Sequence, residues 1–438
     1  MKFDVIVAGG GTAGCACAYI SAKLGLKVLL VEKNSFLGGS MTSSLVTPAM
    51  KTSDNNINSD FYRTLMAELH KIGGQITYSD GNIGWFNPEL MKITLDKIMS
   101  DAGVKVLFNT KLSDIQHSDR YIKRVLLSNY NDTICSNNIS SENKLLSEYI
   151  ETIYLVDGTG DAKIFEKLNC NFLENFEKNK KYFQPINLRF IMSGINIEKF
   201  SKWIMKLDTN RDVTTSAVID GQTHLSTAYT WDTGKNWALE PVFKAGIEKG
   251  LITEEDSNYF QVFSIPGMPS ALAFNCPRLI SKNDINLEDT VETSQLLTDA
   301  RASIYRLSEF FKVSFEGFED AYISQIANEL GVRVSKRIKG KYIYTIEDLR
   351  SGKVFNNPCL ISNYPVDIHS SDKDGSVLEK QEQEYMLPIE SLQSFDYDNL
   401  FAVGRCISAD FEAQAALRII PSCFSMGEGL AKYLAQNI

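Results

Sequence analysis

The run Phe3–Ala8 is short, apolar and rich in valine and isoleucine, and it breaks at once into Gly9-Gly10-Gly11-Thr12-Ala13-Gly14. A continuous apolar run of this length reads as a strand buried on both faces. Ala13, Cys17, Ile20 and Leu24 then recur at helical spacing, so Thr12 to Leu24 is predicted as a helix. Gly25 stops that helix, and Lys27 to Val31 is a second buried strand ending on Glu32. Strand, glycine turn, helix, strand leaves little choice of fold. The two strands must lie parallel with the helix crossing over them.

Each glycine in the turn has a physical task. Gly9 allows the tight exit from the strand, Gly11 lets a ligand's pyrophosphate approach the backbone, and Gly14 lets helix and strand pack closely. Thr12 and Ala13 open the helix, whose free N–H groups and positive dipole end favour an anion. Glu32 lies 18 residues after Gly14, where a carboxylate takes the ribose hydroxyls of a dinucleotide and repels a 2′-phosphate. The next segment, Lys33 to Thr42 (KNSFLGGSMT), resembles the xxxxLGGxxT stretch of FAD enzymes with the glutathione-reductase-like fold. That likeness implies FAD rather than NAD, with Lys33, Gly38, Gly39, Ser40, Met41 and Thr42 along the cofactor.

At 438 residues the chain is too long for one simple core. It has 44% apolar and 23% charged residues, an ordinary globular balance, and lacks a long uncharged apolar run of membrane-spanning length. Eight scattered cysteines with no C-x-x-C predict reduced thiols in a cytoplasmic protein and no metal site. The net charge of −9 argues against nucleic acid as a partner.

Further along, helices are predicted over 61–72 and 88–102, a strand over 104–108, and hairpins with a long polar turn up to about residue 150. Tyr154 to Val156 reads as another buried strand, leading into Asp157-Gly158-Thr159-Gly160-Asp161. Between 166 and 390 the readable elements are Asn187–Ser193, an aromatic stretch over 229–237, a long helix over 289–311 and a strand-like Lys341–Ile346. Asn399 to Val403 is a short strand before Gly404-Arg405, and Pro421 sits in the first turn of a final helix carrying Met426, Leu430 and Leu434 on one face. The expected class is α/β: a Rossmann-like, glutathione-reductase-like FAD-binding domain (1–50, 86–165, 391–438) with an inserted α+β substrate domain (51–85, 166–390).

Six motifs, in order, resemble the FAD-dependent oxidoreductase family: GGGTAGCACA, LGGSMT, DGTGDA, LGVRVSKRIKG, YPVDIH, and NLFAVGRCIS with ALRIIPSC. The resemblance implies that Gly160 and Asp161 lie beside the FAD diphosphate or ribose and Gly404 and Arg405 near the ribityl chain. It places Pro421, Ser422 and Cys423 under the isoalloxazine. Three departures stand out. Ser40 replaces the family's methionine, Lys336 replaces the first arginine of its SRR stretch, and Asp410-Phe411 stands where relatives carry Thr-His.

Hydride transfer to a flavin asks the protein for placement, a proton acceptor and charge control. Of four histidines only His369 falls in a matched motif, which makes it the candidate base or substrate hydrogen-bonder. Arg333 and Arg337 together are candidates to clamp a carboxylate or a diphosphate, and Arg418 before the final helix is a second candidate carboxylate clamp. A second G-x-G-x-x-G and a redox C-x-x-C are both missing, so a pyridine-nucleotide disulfide reductase is excluded, and the missing W-x-W-x-I-P argues against halogenation. The expected activity is a dehydrogenase or oxidase acting on a small amine, amino acid or hydroxy acid. An ene-type reductase fed by a partner protein and a flavin-containing RNA-modifying protein are the alternatives.

Overall fold

The computed structural model describes residues 1–52, 57–129, 148–173, 184–211, 213–230, 237–279, 287–369, 377–381 and 383–438. Its first layer begins with β1 (Lys2–Ala8), α1 (Thr12–Lys23) and β2 (Val28–Val31), each within one residue of the predicted limits. Helices α2 (Asp60–Lys71) and α3 (Pro88–Asp101) follow, then β3 (Lys105–Leu107) and an antiparallel hairpin, β4 (Thr110–Ser118) and β5 (Tyr121–Asn129). Most of the polar turn expected next lies outside the described residues. The chain re-enters the sheet as β6 (Ile150–Asp157).

A second sheet is wholly antiparallel, in the order β8 (Thr215–Ile219), β9 (Gln222–Thr230), β10 (Tyr259–Ile265), β11 (Met268–Phe274), β7 (Phe190–Ser193), β12 (Tyr322–Ile326). Helices α4 (Ile197–Leu207), α5 (Glu240–Glu248) and α6 (Thr290–Ser314) share its core. That core is aromatic: Phe274 stacks on Phe190 at 4.7 Å and on Phe311 at 5.3 Å. The aromatic stretch predicted over 229–237 contributes Tyr229 and Trp237 to it, and 231–236 lie outside the described residues. The predicted element Asn187–Ser193 is two strands, because the chain turns at Leu188-Arg189 between Ile186–Asn187 and β7.

The chain returns to the first sheet through β13 (Leu400–Ala402), α7 (Phe411–Leu417) and α8 (Ile420–Gln436). Strands β3, β2, β1, β6 and β13 run parallel in that spatial order, with the hairpin joined to the start of β6. The architecture is thus mixed α/β with a parallel, Rossmann-like core. Because β1 is central and covered on both faces, Val5, Ile6 and Val7 are fully buried. Helices α1, α2, α3 and α8 share one core with Tyr344, Leu360, Tyr385 and Leu387. On α8, Phe424, Met426, Leu430 and Leu434 are fully buried, each contributing about 1.5–3 kcal/mol. Among the described residues no helix is long and apolar enough to cross a membrane.

One prediction fails for a clear reason. Lys341–Ile346 is not a strand: Tyr344 makes only an isolated bridge to Ala409, and Ile346 opens a short helix, Ile346–Arg350. Thr345 Oγ1 accepts from Asp348 N at 3.2 Å and Asp348 Oδ2 accepts from Thr345 N at 3.2 Å, a reciprocal capping box that stops any strand there.

The α1–α8 contact depends on Gly427, where an added Cβ would lie 2.2 Å from Ala13 O. Gly427→Ala is expected to cost about 1–3 kcal/mol in urea unfolding, as overpacking does. Unchanged stability would show that the two helices can separate freely.

Candidate functional site

Strand register builds the first half of the site. Ala8 is level with both Val31 and Asp157, and Asp157 with Ala402. Hydrogen bonds continue past the strand ends: Gly9 N to Val31 O (2.7 Å), Gly158 N to Ala8 O (2.8 Å) and Val403 N to Asp157 O (3.0 Å). Four segments distant in sequence therefore leave the sheet at one edge: Glu32, the Gly9–Gly14 turn, Gly158–Asp161 and Gly404-Arg405. The chain reverses direction across the sheet here, where open α/β folds place ligands.

The glycines at this edge divide into two kinds. A Cβ on Gly14 would lie 2.0 Å from Gly9 O and one on Gly9 would lie 2.5 Å from Gly158 C, so packing alone demands both. A Cβ on Gly11 would meet nothing nearer than 3.8 Å. Space, not packing, explains that residue. Gly11 caps α1 without a side chain, and the first helical bond is Cys15 N to Gly11 O, which leaves the N–H groups of Thr12, Ala13 and Gly14 pointing out of the helix end. Gly38 and Gly39 both have positive φ and bring their backbone over Gly11, since a Cβ on Gly39 would be 2.8 Å from Gly11 Cα.

Glu32 is 5% exposed and accepts from Gly10 N (2.7 Å) and Asn34 N (2.8 Å). Burial pushes its carboxyl upward against those two bonds. Asp157 fixes the neighbouring turn by accepting from Thr159 N (3.0 Å), Thr159 Oγ1 (2.6 Å) and Ile164 N (2.8 Å). Arg405 Nη2 donates to Asp161 Oδ1 at 2.6 Å, and a Cβ on Gly160 would meet the same guanidinium at 3.4 Å. Gly404 N donates to Met426 Sδ at 3.1 Å, tying this loop to α8. Among the described residues, Arg405 Nε and Ser422 Oγ are buried without a protein partner, as donors reserved for a ligand are. Pro421, Ser422 and Cys423 occupy the first turn of α8 and are buried. The donor set and the space above Gly11 fit a dinucleotide.

Three side chains predicted along the cofactor do other work. Lys33 pairs with Glu329 at 2.7 Å, Met41 is fully buried in the core, and Thr42 Oγ1 donates to Leu37 O at 2.7 Å. Ser40 is half-buried beside them.

The second half of the site is a polar cluster between the antiparallel sheet and the segment entering α8. His369 Nδ1 lies 3.0 Å from Arg278 Nη2, which can only donate, so Nδ1 accepts and the ring proton sits on Nε2. Nε2 is 3.3 Å from Asp367 Oδ1. Arg418 Nη2 reaches Asp367 O (3.0 Å), Asp367 Oδ2 (3.4 Å) and Gln184 Oε1 (3.3 Å). Arg278 also lies over the Tyr259 ring, 3.9 Å from its centre. Arg333 donates to Pro185 O, and Arg189 to Thr47 O at 3.2 Å. Burial, then repulsion from Arg418, Arg278 and Arg189, pushes Arg333 down to about 9. Burial lowers Arg189 to about 10. Burial and then the Arg333 charge push His369 down to about 3. Asp367 moves the other way: burial would raise it, but the His369 bond and the charges of Arg418 and Arg333 hold it well below the usual range.

The structure therefore brings together three of the four predicted catalytic candidates, Arg333, Arg418 and His369. It sends Arg337 elsewhere. Residues 333–337 are not helical, so the pair does not share a face, and buried Arg337 donates from Nη1 to Ala409 O at 3.1 Å. His369 has both ring nitrogens engaged, so it is no free base in this arrangement. Arg189, Arg278, Gln184, Tyr259 and Asp367 were not singled out from sequence. The one signal was Arg189, a charge inside the apolar run Ile186–Ser193. Asp410 caps α7 by accepting from Ala413 N (2.8 Å) and also accepts from Ile346 N (2.7 Å), a structural task where relatives carry Thr-His. A separate groove of about 450 Å³ lies beside Tyr342, Lys353 and Phe355 and shares no residue with either half.

His369 yields a pH prediction. Its folded pKa lies below its unfolded value of about 6.5, so between those values the unfolded chain binds the extra proton. Its contribution is complete above about pH 6.5 and falls as pH drops toward 3. Relative to His369→Gln, the wild type should lose stability from pH 7 to 5 with a slope of up to about 1.4 kcal/mol per pH unit. Parallel urea-stability profiles for the two proteins would contradict the buried, neutral imidazole.

Residues 4–437 match the family described as FAD dependent oxidoreductase. Curated relatives match locally. The rat (Rattus norvegicus) mitochondrial glycerol-3-phosphate dehydrogenase is 36% identical over 77 residues, 16% of this chain and 10% of that protein. Digeranylgeranylglycerophospholipid reductase 2 of Methanothermobacter thermautotrophicus is 55% identical over 38 residues, 9% of this chain and 10% of that protein. The matches thus span about a tenth of the length of these relatives. Among solved structures, a geranylgeranyl bacteriochlorophyll reductase-like protein from Thermoplasma acidophilum is similar at TM-score 0.47 and 12% identity, covering 99% of this chain and 78% of that one. A flavin-dependent brominase is similar at TM-score 0.46 and 14% identity, covering 100% and 79%. With the family match spanning nearly its whole length, and a dinucleotide cradle at the strand ends, the chain belongs to the FAD-dependent oxidoreductases.

Proposed function

We propose that this flavoenzyme oxidises a small organic acid, of the amino-acid or hydroxy-acid type, as a dehydrogenase or oxidase. The observation that carries this reading is the arginine cluster around His369, placed between the antiparallel sheet and the N-terminus of α8. We read the parallel layer as a glutathione-reductase-like FAD domain and the antiparallel sheet, inserted between β6 and β13, as the substrate-covering unit. The strand order and the separate aromatic core support that division.

In this reading the N–H groups opening α1 hold the diphosphate and Glu32 holds the adenosine ribose. Arg405 and the first turn of α8 face the ribityl and pyrimidine end. FAD supplies the hydride acceptor, flavin N5, and the protein supplies position, a proton acceptor and charge. Guanidinium edges of the Arg278, Arg333 and Arg418 cluster orient the substrate carboxylate. An incoming anion draws Arg278 away from His369 Nδ1 and offsets the positive charges that depress the ring, so His369 gains basicity when substrate is bound. It then takes the proton while the hydride leaves carbon. Bound FAD would accept the hydride's two electrons and deliver them to oxygen, giving hydrogen peroxide, or to another acceptor.

Two outcomes test this. Gly11→Ala should fold normally yet bind FAD at least about tenfold more weakly in apoprotein titration, since only ligand space is filled. Unchanged FAD affinity would move the diphosphate away from α1. Anaerobic mixing of the holoprotein with 2-hydroxy and 2-amino acids should bleach the oxidised flavin, and neutral alcohols of similar size should not. Bleaching by the alcohols alone would sink the acid assignment.

A further inference from the structure

The cluster that holds His369 carries more positive charge than a single carboxylate can use. Arg189, Arg278, Arg333 and Arg418 come from four separate segments. Among the described residues, Asp367 is the one carboxylate shown bonded to any of them. His369 is neutral as its two bonds require, so three positive charges stand uncompensated. Buried charge of one sign persists in a folded protein when a ligand of the other sign completes it.

The unpaired donors point the same way. Among the described residues, Arg189 Nε, Arg278 Nε, Arg418 Nε and Gln184 Nε2 are buried with no protein partner, and Arg278 as a whole is 7% exposed. Structural arginines satisfy their edges with carbonyls or carboxylates, as Arg306 does with both oxygens of Asp256. In this cluster the guanidinium edges are left open on three of four side chains. One carboxylate presents two oxygens and is matched by one or two guanidinium edges. A second anionic group is needed to occupy the rest.

We propose that Arg189, Arg278, Arg333, Arg418 and Gln184 form a subsite for a small organic dianion, bearing either two carboxylates or one phosphate. The inference rests on the reading above in placing this subsite beside the flavin, and it adds the charge of the molecule held there. A monoanion leaves two positive charges of the cluster without a partner. A dianion leaves one. Among the organic acids proposed above, those that carry a second anionic group are thereby favoured over those with a single carboxylate.

The test is a titration of the wild-type holoprotein with acetate, malonate, succinate and inorganic phosphate at constant ionic strength, which removes general screening. Thermal midpoint and the flavin absorption spectrum are followed together. Malonate, succinate or phosphate should bind at least about tenfold more tightly than acetate and raise the midpoint. Preference for malonate or succinate assigns two carboxylates, and preference for phosphate assigns a phosphate ester. In Arg278→Gln the preference for the dianion should fall about tenfold while FAD content at purification stays unchanged. Equal, weak binding of acetate and the dianions by the wild type would overturn the proposal, as would an intact preference in a folded Arg278→Gln. Flavin reduction by a neutral or cationic molecule, with no dianion binding, would overturn this subsite and leave an oxidoreductase of another substrate class. Tight dianion binding to a flavin that no organic donor reduces would uphold the subsite and overturn the reading on which its placement rests.

Discussion

The whole site hangs on one alignment. Ala8, Val31, Asp157 and Ala402 are level across the parallel sheet, and the hydrogen bonds of Gly9, Gly158 and Val403 carry that alignment one residue beyond the strands. A shift of one residue in any of these strands would turn its side chains to the opposite face and withdraw its loop. The alignment also places the N-terminus of α1 against the loop that bears Arg405. Gly427 then lets α8 approach α1 closely enough for Met426 to bond Gly404 N. The cofactor cradle is thus a product of register first and of individual side chains second.

The arginine cluster is the energetic counterweight to that rigid frame. Bringing Arg333 from an ordinary value near 12.5 to about 9 means a few kcal/mol set against its charged form. A protein with a net stability of about 5–15 kcal/mol keeps such a cost where function uses it. The cluster joins residues that the antiparallel sheet and its edges carry to residues just before α8, so its integrity requires both layers. Asp367 moderates it, and His369 bridges Asp367 to Arg278.

What was legible in the sequence follows from how local each feature is. The Gly9–Gly14 turn, Glu32 and Gly38-Gly39 are readable because backbone geometry forces residue types at short spacing. The first and last helices are readable for the same reason, through periodicity and a proline in the first turn. The short helix at Ile346 is hidden in the sequence because four apolar and aromatic residues, Tyr342, Ile343, Tyr344 and Ile346, outweigh a capping pair, Thr345 and Asp348, three positions apart. The arginine cluster was only half readable. Arg189, Arg278, Arg333 and Arg418 lie in four distant segments, and no spacing rule links them. Arg337 is close to Arg333 in sequence, and the non-helical chain between them sends the two side chains apart.

The account joins a dinucleotide cradle at the strand ends to an anion site next to its flavin end. Its most direct test is a crystal structure of the holoprotein grown with malonate. The account predicts the FAD diphosphate on the N–H groups of Thr12 to Gly14 and both malonate carboxylates on Arg278, Arg333 and Arg418. A diphosphate seated away from the start of α1, or malonate absent from the arginines while FAD is in place, would contradict it.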